Sequence, residues 1–216
     1  MSRIPLCNPD ELPESLQTMR DNAGGIPMMV NVLQGFEKAP ELFETFFAWY
    51  FPWHANAGSQ PTRLSARLKE LVRLRIATYT GCRLCKASRQ APDTIPESTA
   101  VYIDDPATRE HDLSPAEAAA LNFAWKFALD HFSLTDDDFN VLRRHFDTAQ
   151  ILELVMMVSV VYLGLGRVLS VLELDNPSCP IPSASPAWVA PADAGMEAQR
   201  LYRKSVSSET DENAVV

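Results

Sequence analysis

Apolar residues recur every three or four positions along most of the chain before residue 176, and this spacing predicts amphipathic helices. The clearest case is residues 65–80, where arginines and lysines separate a single apolar stripe. The stripe consists of Leu64, Leu68, Leu71, Val72 and Ile76. Gly81 follows, at the position where a left-handed glycine ends many helices. We find no convincing strand pattern, so the sequence predicts an all-α protein.

Capping residues mark several of the predicted helix starts. Ser114 begins a capping box with proline at the first helical position, and three aspartates follow Thr135, where the helix dipole favours acids. Asp147 or Thr148 caps the last long helix. The predicted helices cover residues 13–22, 27–36, 40–53, 65–80, 82–90, 115–131, 135–146 and 148–172.

The last predicted helix is apolar on nearly every side over residues 154–165. A helix of this kind is buried on most faces, either in the core or at an interface between subunits. The uncharged run over residues 154–166 is shorter than the roughly 20 apolar residues that cross a bilayer. We therefore expect a core or interface helix and no membrane span.

The same pattern divides the chain into three parts. Residues 1–26 form an N-terminal arm with a short helix, and residues 27–175 form a single helical domain. The helical pattern ends at residue 176. Five prolines followed by a polar stretch predict an extended, proline-rich arm and a disordered tail over residues 176–216.

Composition and charge narrow the range of partners. A formal net charge of −9 argues against nucleic acids, which require a basic face, and against anionic lipid surfaces. The first 15 residues contain three prolines and lack the apolar stretch of a signal peptide. We expect a cytoplasmic protein, whose thiols stay reduced, so a closely spaced cysteine pair indicates redox chemistry or a metal site.

Cys82 and Cys85 form such a pair at the predicted start of a helix. Unpaired backbone N–H groups and the helix dipole stabilise a thiolate on the first cysteine, lowering its pKa below about 8.5. The second cysteine is close enough to form a disulfide. These features favour a redox pair in which either cysteine can be the nucleophile. Two inert, buried thiols are the alternative.

A zinc site is disfavoured, because it needs four ligands and the chain has no second cysteine or histidine pair at a suitable spacing. The remaining cysteines, Cys7 and Cys179, lie near the two ends of the chain. We therefore expect no metal and no organic cofactor.

Eleven residues separate Glu70 from Cys82, and two residues separate Cys82 from Cys85. This spacing resembles the signature of AhpD-like alkylhydroperoxidases, within the wider carboxymuconolactone decarboxylase family. Later helical segments resemble the family in the same order, so the resemblance covers about residues 40–175. It implies an AhpD-like helical bundle, a trimer or hexamer, and a site in which Glu70 belongs to a proton relay while Cys82 and Cys85 cycle between dithiol and disulfide.

Arg89 departs from the family pattern, which has a histidine four residues after the second cysteine. Arginine stays protonated and cannot pass a proton as histidine can. Glu70 and Arg89 lie nearly symmetrically about the turn at Gly81, so we predict a salt bridge between them beneath the cysteines. Without the resemblance, Glu70 would be interpreted as a solvated surface acid.

Two more residues are candidates for the site. His54 shortly precedes the helix that carries Glu70 and is the histidine that could replace the missing acid–base group. Tyr79 lies within a turn of Cys82 and could line a pocket, although packing is the commoner role for such a residue.

These observations predict a thiol–disulfide oxidoreductase of the AhpD-like type that reduces a peroxide or a disulfide, with electrons from an external thiol donor. One alternative is a lyase acting on a small organic acid or lactone, with Arg89 orienting a carboxylate. Another is a non-catalytic helical assembly protein, which would have an occluded cysteine pair and no pocket beside Gly81.

Overall fold

The computed structural model describes residues 2–22, 27–54 and 62–175, and this part of the chain is helical without a strand. The helices are α1 (Glu14–Asn22), α2 (Pro27–Gly35), α3 (Pro40–Trp53), α4 (Ala66–Thr80), α5 (Arg83–Ala87), α6 (Glu97–Val101), α7 (Pro106–Asp112), α8 (Pro115–Asp130), α9 (Asp136–Arg143), α10 (Thr148–Met156) and α11 (Gly164–Leu172). The all-α prediction is confirmed. The predicted arm and tail over residues 176–216 lie outside the described residues.

Helix α4 lies at the centre of the bundle and contacts α5, α8 and α11. Ser65 caps its start by accepting the N–H of Leu68, and Gly81 ends it with a φ of 69°, as predicted for the glycine. Every residue over 68–77 is buried. Four of these buried residues are charged, namely Lys69, Glu70, Arg73 and Arg75. The helix is therefore surrounded on all sides, and its charges need partners inside the protein.

Helix α3 carries an aromatic cluster to the edge of the site. Tyr50 is buried in this cluster, with the rings of Phe47 and Phe51 at centroid distances of 5.7 and 5.3 Å. His54 directly follows the helix, and its N–H donates to the carbonyl oxygen of Tyr50 at 3.0 Å. The imidazole ring contacts the Tyr50 ring at a centroid distance of 5.2 Å, so the end of α3 fixes the position of His54.

Helix α5 is shorter than predicted, since it covers Arg83–Ala87 and not residues 82–90. The guanidinium of Arg73, from α4, donates to the carbonyl oxygens of Cys85 and Ser88 at 2.5 and 2.8 Å. These acceptors would otherwise be left without partners at the end of the helix, so a side chain of α4 terminates α5.

Three other differences from the sequence prediction are local. Helix α9 ends at Arg143 and not at residue 146. Helices α6 and α7 have no counterpart among the predicted helices. They contain five and seven residues, which is too few for a repeating apolar stripe to be recognised.

Helices α10 and α11 join through a π-helical segment, Met157–Leu163, into one helix from Thr148 to Leu172. By length and composition this 25-residue helix could cross a membrane, whereas the uncharged run over residues 154–166 alone is too short to do so. Within the bundle, 44% of its most apolar window is buried. A buried core helix meets the same criterion of length and apolarity.

One face of this helix is exposed in the single chain, so burial on most faces would require the predicted interface between subunits. The exposed apolar residues are Leu152, Met156, Val160, Val168 and Val171. They recur at helical spacing and form a stripe, which we call the outer stripe. A single chain therefore leaves this stripe uncovered.

Candidate active site

Cys82 and Cys85 lie at the two ends of the first turn of α5 and are joined by a disulfide, with their Cα atoms 5.2 Å apart. The expected closeness of the two sulfurs is confirmed. Cys82 is fully buried, whereas Cys85 is partly exposed. The two cysteines therefore differ in their access to small molecules.

A cavity of about 50 Å³ lies against Cys85. Its wall includes Arg73, Tyr50 and Tyr162, and most of the remaining wall is apolar, with Val161 among the lining residues. Cys82 does not belong to the wall. Because a site for one water takes roughly 10–15 Å³, a cavity of this size accommodates a molecule of only a few heavy atoms.

The start of α5 offers less positive potential than the sequence suggested. The helix has five residues, and two of its first N–H groups already have acceptors. Cys85 N–H donates to Sγ of Cys82 at 3.2 Å, and Arg83 N–H donates to the carboxylate of Asp175 at 2.6 Å. The buried Asp175 thus places a negative charge beside the cysteine pair, opposing a thiolate on Cys82.

Glu70 is completely buried and forms a two-point ion pair with Arg73. Its Oε1 and Oε2 atoms accept hydrogen bonds from Nη2 and Nε of Arg73 at 2.7 and 2.8 Å, and Oε1 also accepts the N–H of Gln90 at 3.1 Å. Burial alone would raise the pKa of this carboxyl group. The charge and hydrogen bonds of Arg73 outweigh burial and hold the pKa below its ordinary range.

The predicted Glu70–Arg89 salt bridge is wrong. Nη2 of Arg89 lies 3.0 Å from Oε1 of Glu97, and Nη1 donates to the carbonyl oxygen of Lys86. Arg89 therefore binds the end of α5 and an exposed acid, and it does not line the cavity. The symmetry argument fails because Arg73, one turn from Glu70 on the same helix, already occupies both carboxylate oxygens.

The structure brings His54 to Glu70, although the two residues belong to different elements. Nε2 of His54 lies 3.4 Å from Oε2 of Glu70, and Nδ1 lies 2.9 Å from the hydroxyl of Tyr162. Burial lowers the pKa of His54 to about 4, although the hydrogen bond and charge of Glu70 oppose this shift. The imidazole is therefore neutral near pH 7.

Tyr79 does not join this group of residues. Its ring packs edge-on against Trp125 at a centroid distance of 5.7 Å, and it does not line the cavity. This is the packing role named as its alternative. Within residues 2–22, 27–54 and 62–175, no group of three or more His, Cys, Asp and Glu side chains is arranged to hold a metal ion.

Arg73 and Tyr162 were not among the site residues predicted from the sequence. Arg73 lies three residues after Glu70 on one helix, so the i,i+3 spacing of opposite charges was a usable signal. Tyr162 lies in a largely apolar run, and its hydroxyl was also a usable signal, because a buried polar group needs a partner.

Together, the helical bundle and the Cys82–Cys85 pair beside its cavity define an all-helical protein with a CxxC site. No protein-family model matches the chain, and no curated protein matches it significantly. Several solved structures share its fold, and two of them are crystal structures of peroxidase-related proteins. The first is described as an alkylhydroperoxidase AhpD core, an uncharacterized peroxidase-related protein from Ralstonia eutropha JMP134; it is 22% identical over 80% of this chain and 90% of its own, with a TM-score of 0.62.

The second structure is an uncharacterized peroxidase-related protein from Silicibacter sp. TM1040. It is 20% identical over 79% of this chain and 88% of its own, with a TM-score of 0.60. The chain therefore has the AhpD-like fold, as the resemblance in its sequence implied.

Proposed function

We propose that the protein is an AhpD-like peroxidase that reduces a small organic hydroperoxide through the Cys82–Cys85 couple. One observation carries the proposal: a closely paired cysteine, Cys85, lies in the wall of a small cavity whose polar groups connect to the buried Glu70. Titratable groups converging on a cavity beside a nucleophile are typical of active sites.

The unequal exposure of the two cysteines assigns their roles in this proposal. The Cys85 thiolate attacks one peroxide oxygen, the O–O bond breaks, and the departing alkoxide takes a proton to leave as an alcohol. Cys85 is thereby oxidised to a sulfenic acid. The Cys82 thiol then attacks Cys85, releasing water and forming the disulfide. An external dithiol of the cytoplasm reduces the disulfide and is itself oxidised.

The size and chemistry of the cavity support a small, mainly apolar substrate. Among the described residues that line the cavity, Arg73 is the only one with a guanidinium. It already donates to Glu70 and to the carbonyl oxygens of Cys85 and Ser88. Arg89, which the lyase alternative uses to orient a carboxylate, lies away from the cavity. The geometry therefore supports a hydroperoxide better than an organic acid or lactone.

The non-catalytic alternative predicts an occluded pair without a pocket. The cavity lies against Cys85, and Cys85 is partly exposed. Both observations favour a working site over a scaffold that has lost its chemistry.

Trapping the oxidised cysteine tests the proposal. The dithiol protein is mixed with tert-butyl hydroperoxide in the presence of a diketone that labels sulfenic acids. We expect Cys82→Ser to accumulate the label on Cys85, and Cys85→Ser to give no peroxide reduction. Cys7→Ser, which alters a free cysteine away from the pair, should behave like the unmodified protein. Peroxide reduction that survives Cys85→Ser would overturn the proposal.

We also propose a homo-oligomer, a trimer or hexamer, formed through the outer stripe. Five exposed apolar side chains along one helix support an interface between copies of the chain. Sedimentation should show the oligomer at micromolar concentration and its dissociation by Val160→Asp. Val141→Asp, at an exposed apolar position on α9, is the matched control. A monomeric unmodified chain would contradict the proposal.

A further inference from the structure

Tyr162 connects the cavity to the buried charges behind it. Its side chain lines the same cavity as Cys85, whereas His54 and Glu70 do not reach the wall. The Tyr162 hydroxyl lies 2.9 Å from Nδ1 of His54, and Nε2 of His54 lies 3.4 Å from Oε2 of Glu70. The three side chains form a continuous series of proton-carrying groups from the cavity into the core.

On the basis of the proposed function, we propose that the Tyr162 hydroxyl is the catalytic group that exchanges protons with Cys85 and with the leaving oxygen of the peroxide. His54 and Glu70 are positioning residues that act through it. This series supplies the acid–base function that Arg89 cannot provide at the usual histidine position.

The charge states of the neighbours assign the hydrogens. His54 is neutral near pH 7 because burial lowers its pKa, and Glu70 is ionised because Arg73 holds its pKa low. Nε2–H of His54 therefore donates to Glu70, which leaves Nδ1 to accept the O–H of Tyr162. Burial raises the pKa of Tyr162 and keeps the phenol protonated.

The groups around the imidazole come from three elements. Tyr50 belongs to α3, and Tyr162 to the π-helical segment. Glu70, Arg73 and Lys69 of α4 contribute the charges, of which only Glu70 favours a proton on the ring. A transient imidazolium is therefore stabilised by a single carboxylate, which also fixes the orientation of the ring.

The proton transfers balance within the proposed step. The Tyr162 oxygen accepts the Cys85 thiol proton while its own proton moves to Nδ1 of His54, and the sulfur attacks the peroxide. When the O–O bond breaks, the proton on Nδ1 returns to Tyr162, and Tyr162 gives a proton to the alkoxide. The thiol and peroxide thus become a sulfenic acid and an alcohol, with the relay restored.

The backbone at Tyr162 provides an independent indication. Met157–Leu163 is π-helical inside an otherwise α-helical element, and Tyr162 lies within this segment. Such π-helical insertions are rare, and they are frequently found at functional sites. The insertion therefore coincides with the residue that the side-chain contacts single out.

A matched pair of tyrosine variants tests the proposal. Tyr162→Phe removes the hydroxyl that contacts His54, and Tyr79→Phe removes a tyrosine hydroxyl that does not line the cavity. The dithiol form of each variant is mixed with tert-butyl hydroperoxide and the rate constant is measured against pH. The rate of Cys85 alkylation is measured over the same pH range, and circular dichroism verifies the fold.

We expect Tyr162→Phe to lower the peroxide rate constant at pH 7 by about 100-fold, the lower end of typical acid–base contributions. The alkylation profile of Cys85 should shift to higher pH. Tyr79→Phe should leave both the rate constant and the alkylation profile within about threefold, because its side chain packs against Trp125 and does not line the cavity. His54→Asn should change the rate constant and the alkylation profile as much as Tyr162→Phe does. The double variant should lose little more activity, because the effects of substitutions within one network are not additive.

The outcomes separate the relay from the proposed function. If the unmodified protein reduces the peroxide and both Tyr162→Phe and His54→Asn react at the same rate, the relay is wrong and the peroxidase stands. If the unmodified protein does not reduce the peroxide, the proposed function fails, and alkylation then decides the relay. If the pH profile of Cys85 alkylation is unchanged in both variants, the relay is wrong. If Tyr162→Phe does not fold, His54→Asn provides the same two readouts.

Discussion

The carboxylate of Glu70 and the guanidinium of Arg73 are joined by two hydrogen bonds of 2.7 and 2.8 Å within a single turn of α4. Glu70 is entirely shielded from solvent and Arg73 almost so. The same guanidinium holds the carbonyl oxygens at the end of α5, so this pair ties the cysteine helix to the central helix. The cavity wall and the ion pair are therefore one structural unit.

Removing Arg73 should destabilise the protein strongly. Arg73→Leu leaves Glu70 buried without its cation, and we expect the free energy of unfolding to fall by roughly 3–5 kcal/mol. Urea denaturation of the disulfide form measures the change. Arg3→Ala breaks the exposed pair with Glu173 and should cost less than about 1 kcal/mol. Equal effects of the two substitutions would show that burial of the Glu70–Arg73 pair is unimportant.

His54 should make stability depend on pH between about 6.5 and 4. Its pKa is about 4 in the folded protein and 6.5 for the free side chain, so the unfolded chain takes up the proton first as pH falls. Stability is fully present above pH 6.5 and declines towards pH 4, by roughly 3 kcal/mol at about 1.4 kcal/mol per pKa unit. The low pKa of Glu70 adds a loss at more acidic pH.

Urea denaturation at pH 7 and pH 4.5 measures this dependence. His54→Asn should abolish most of the difference between the two pH values, because the titrating group is gone. His145→Gln, at an exposed position, should keep the difference. A His54→Asn variant that is as pH-dependent as the unmodified protein would contradict a buried, neutral imidazole.

Much of the fold was predictable because the signals are local. The capping box at Ser114, the glycine cap at Gly81 and the apolar stripe of the central helix each depend on residues a few positions apart. The early end of α5 was not predictable in this way. It depends on Arg73, whose guanidinium reaches residues 12 and 15 positions further along the chain.

The site was only partly predictable for the same reason. Glu70, Cys82 and Cys85 follow from spacing within a short stretch. The contact of His54 with Tyr162 joins residues 108 positions apart, and no periodicity reports such a contact. The expected partner of Glu70 was wrong because Arg73 occupies both of its carboxylate oxygens, and because α5 ends at Ala87 before it reaches Arg89.

Asp175 should tune the redox couple from outside the cavity. Its carboxylate accepts the N–H of Arg83, which could otherwise stabilise a thiolate at Cys82. Asp175→Asn removes this negative charge, so the reduced pair becomes easier to maintain and the reduction potential rises. A local charge effect of about 0.3–1 kcal/mol corresponds to roughly 5–20 mV for a two-electron couple. Equilibration with glutathione measures the shift.

Glu173→Gln is the control for the Asp175 experiment, because Glu173 lies two residues away and its carboxylate pairs with Arg3. The reduction potential of the Cys82–Cys85 couple in Glu173→Gln should equal that in the unmodified protein. A lower potential for Asp175→Asn would mean that the carboxylate stabilises the reduced pair, contrary to the geometry of α5.

The stoichiometry of a single turnover tests the central claim most directly. The fully reduced protein is mixed with one equivalent of tert-butyl hydroperoxide, and the free thiols and the alcohol are quantified. We expect each chain to lose two thiols, at Cys82 and Cys85, for each molecule of tert-butanol formed. Intact thiols at both positions after the reaction with one equivalent of peroxide would contradict it.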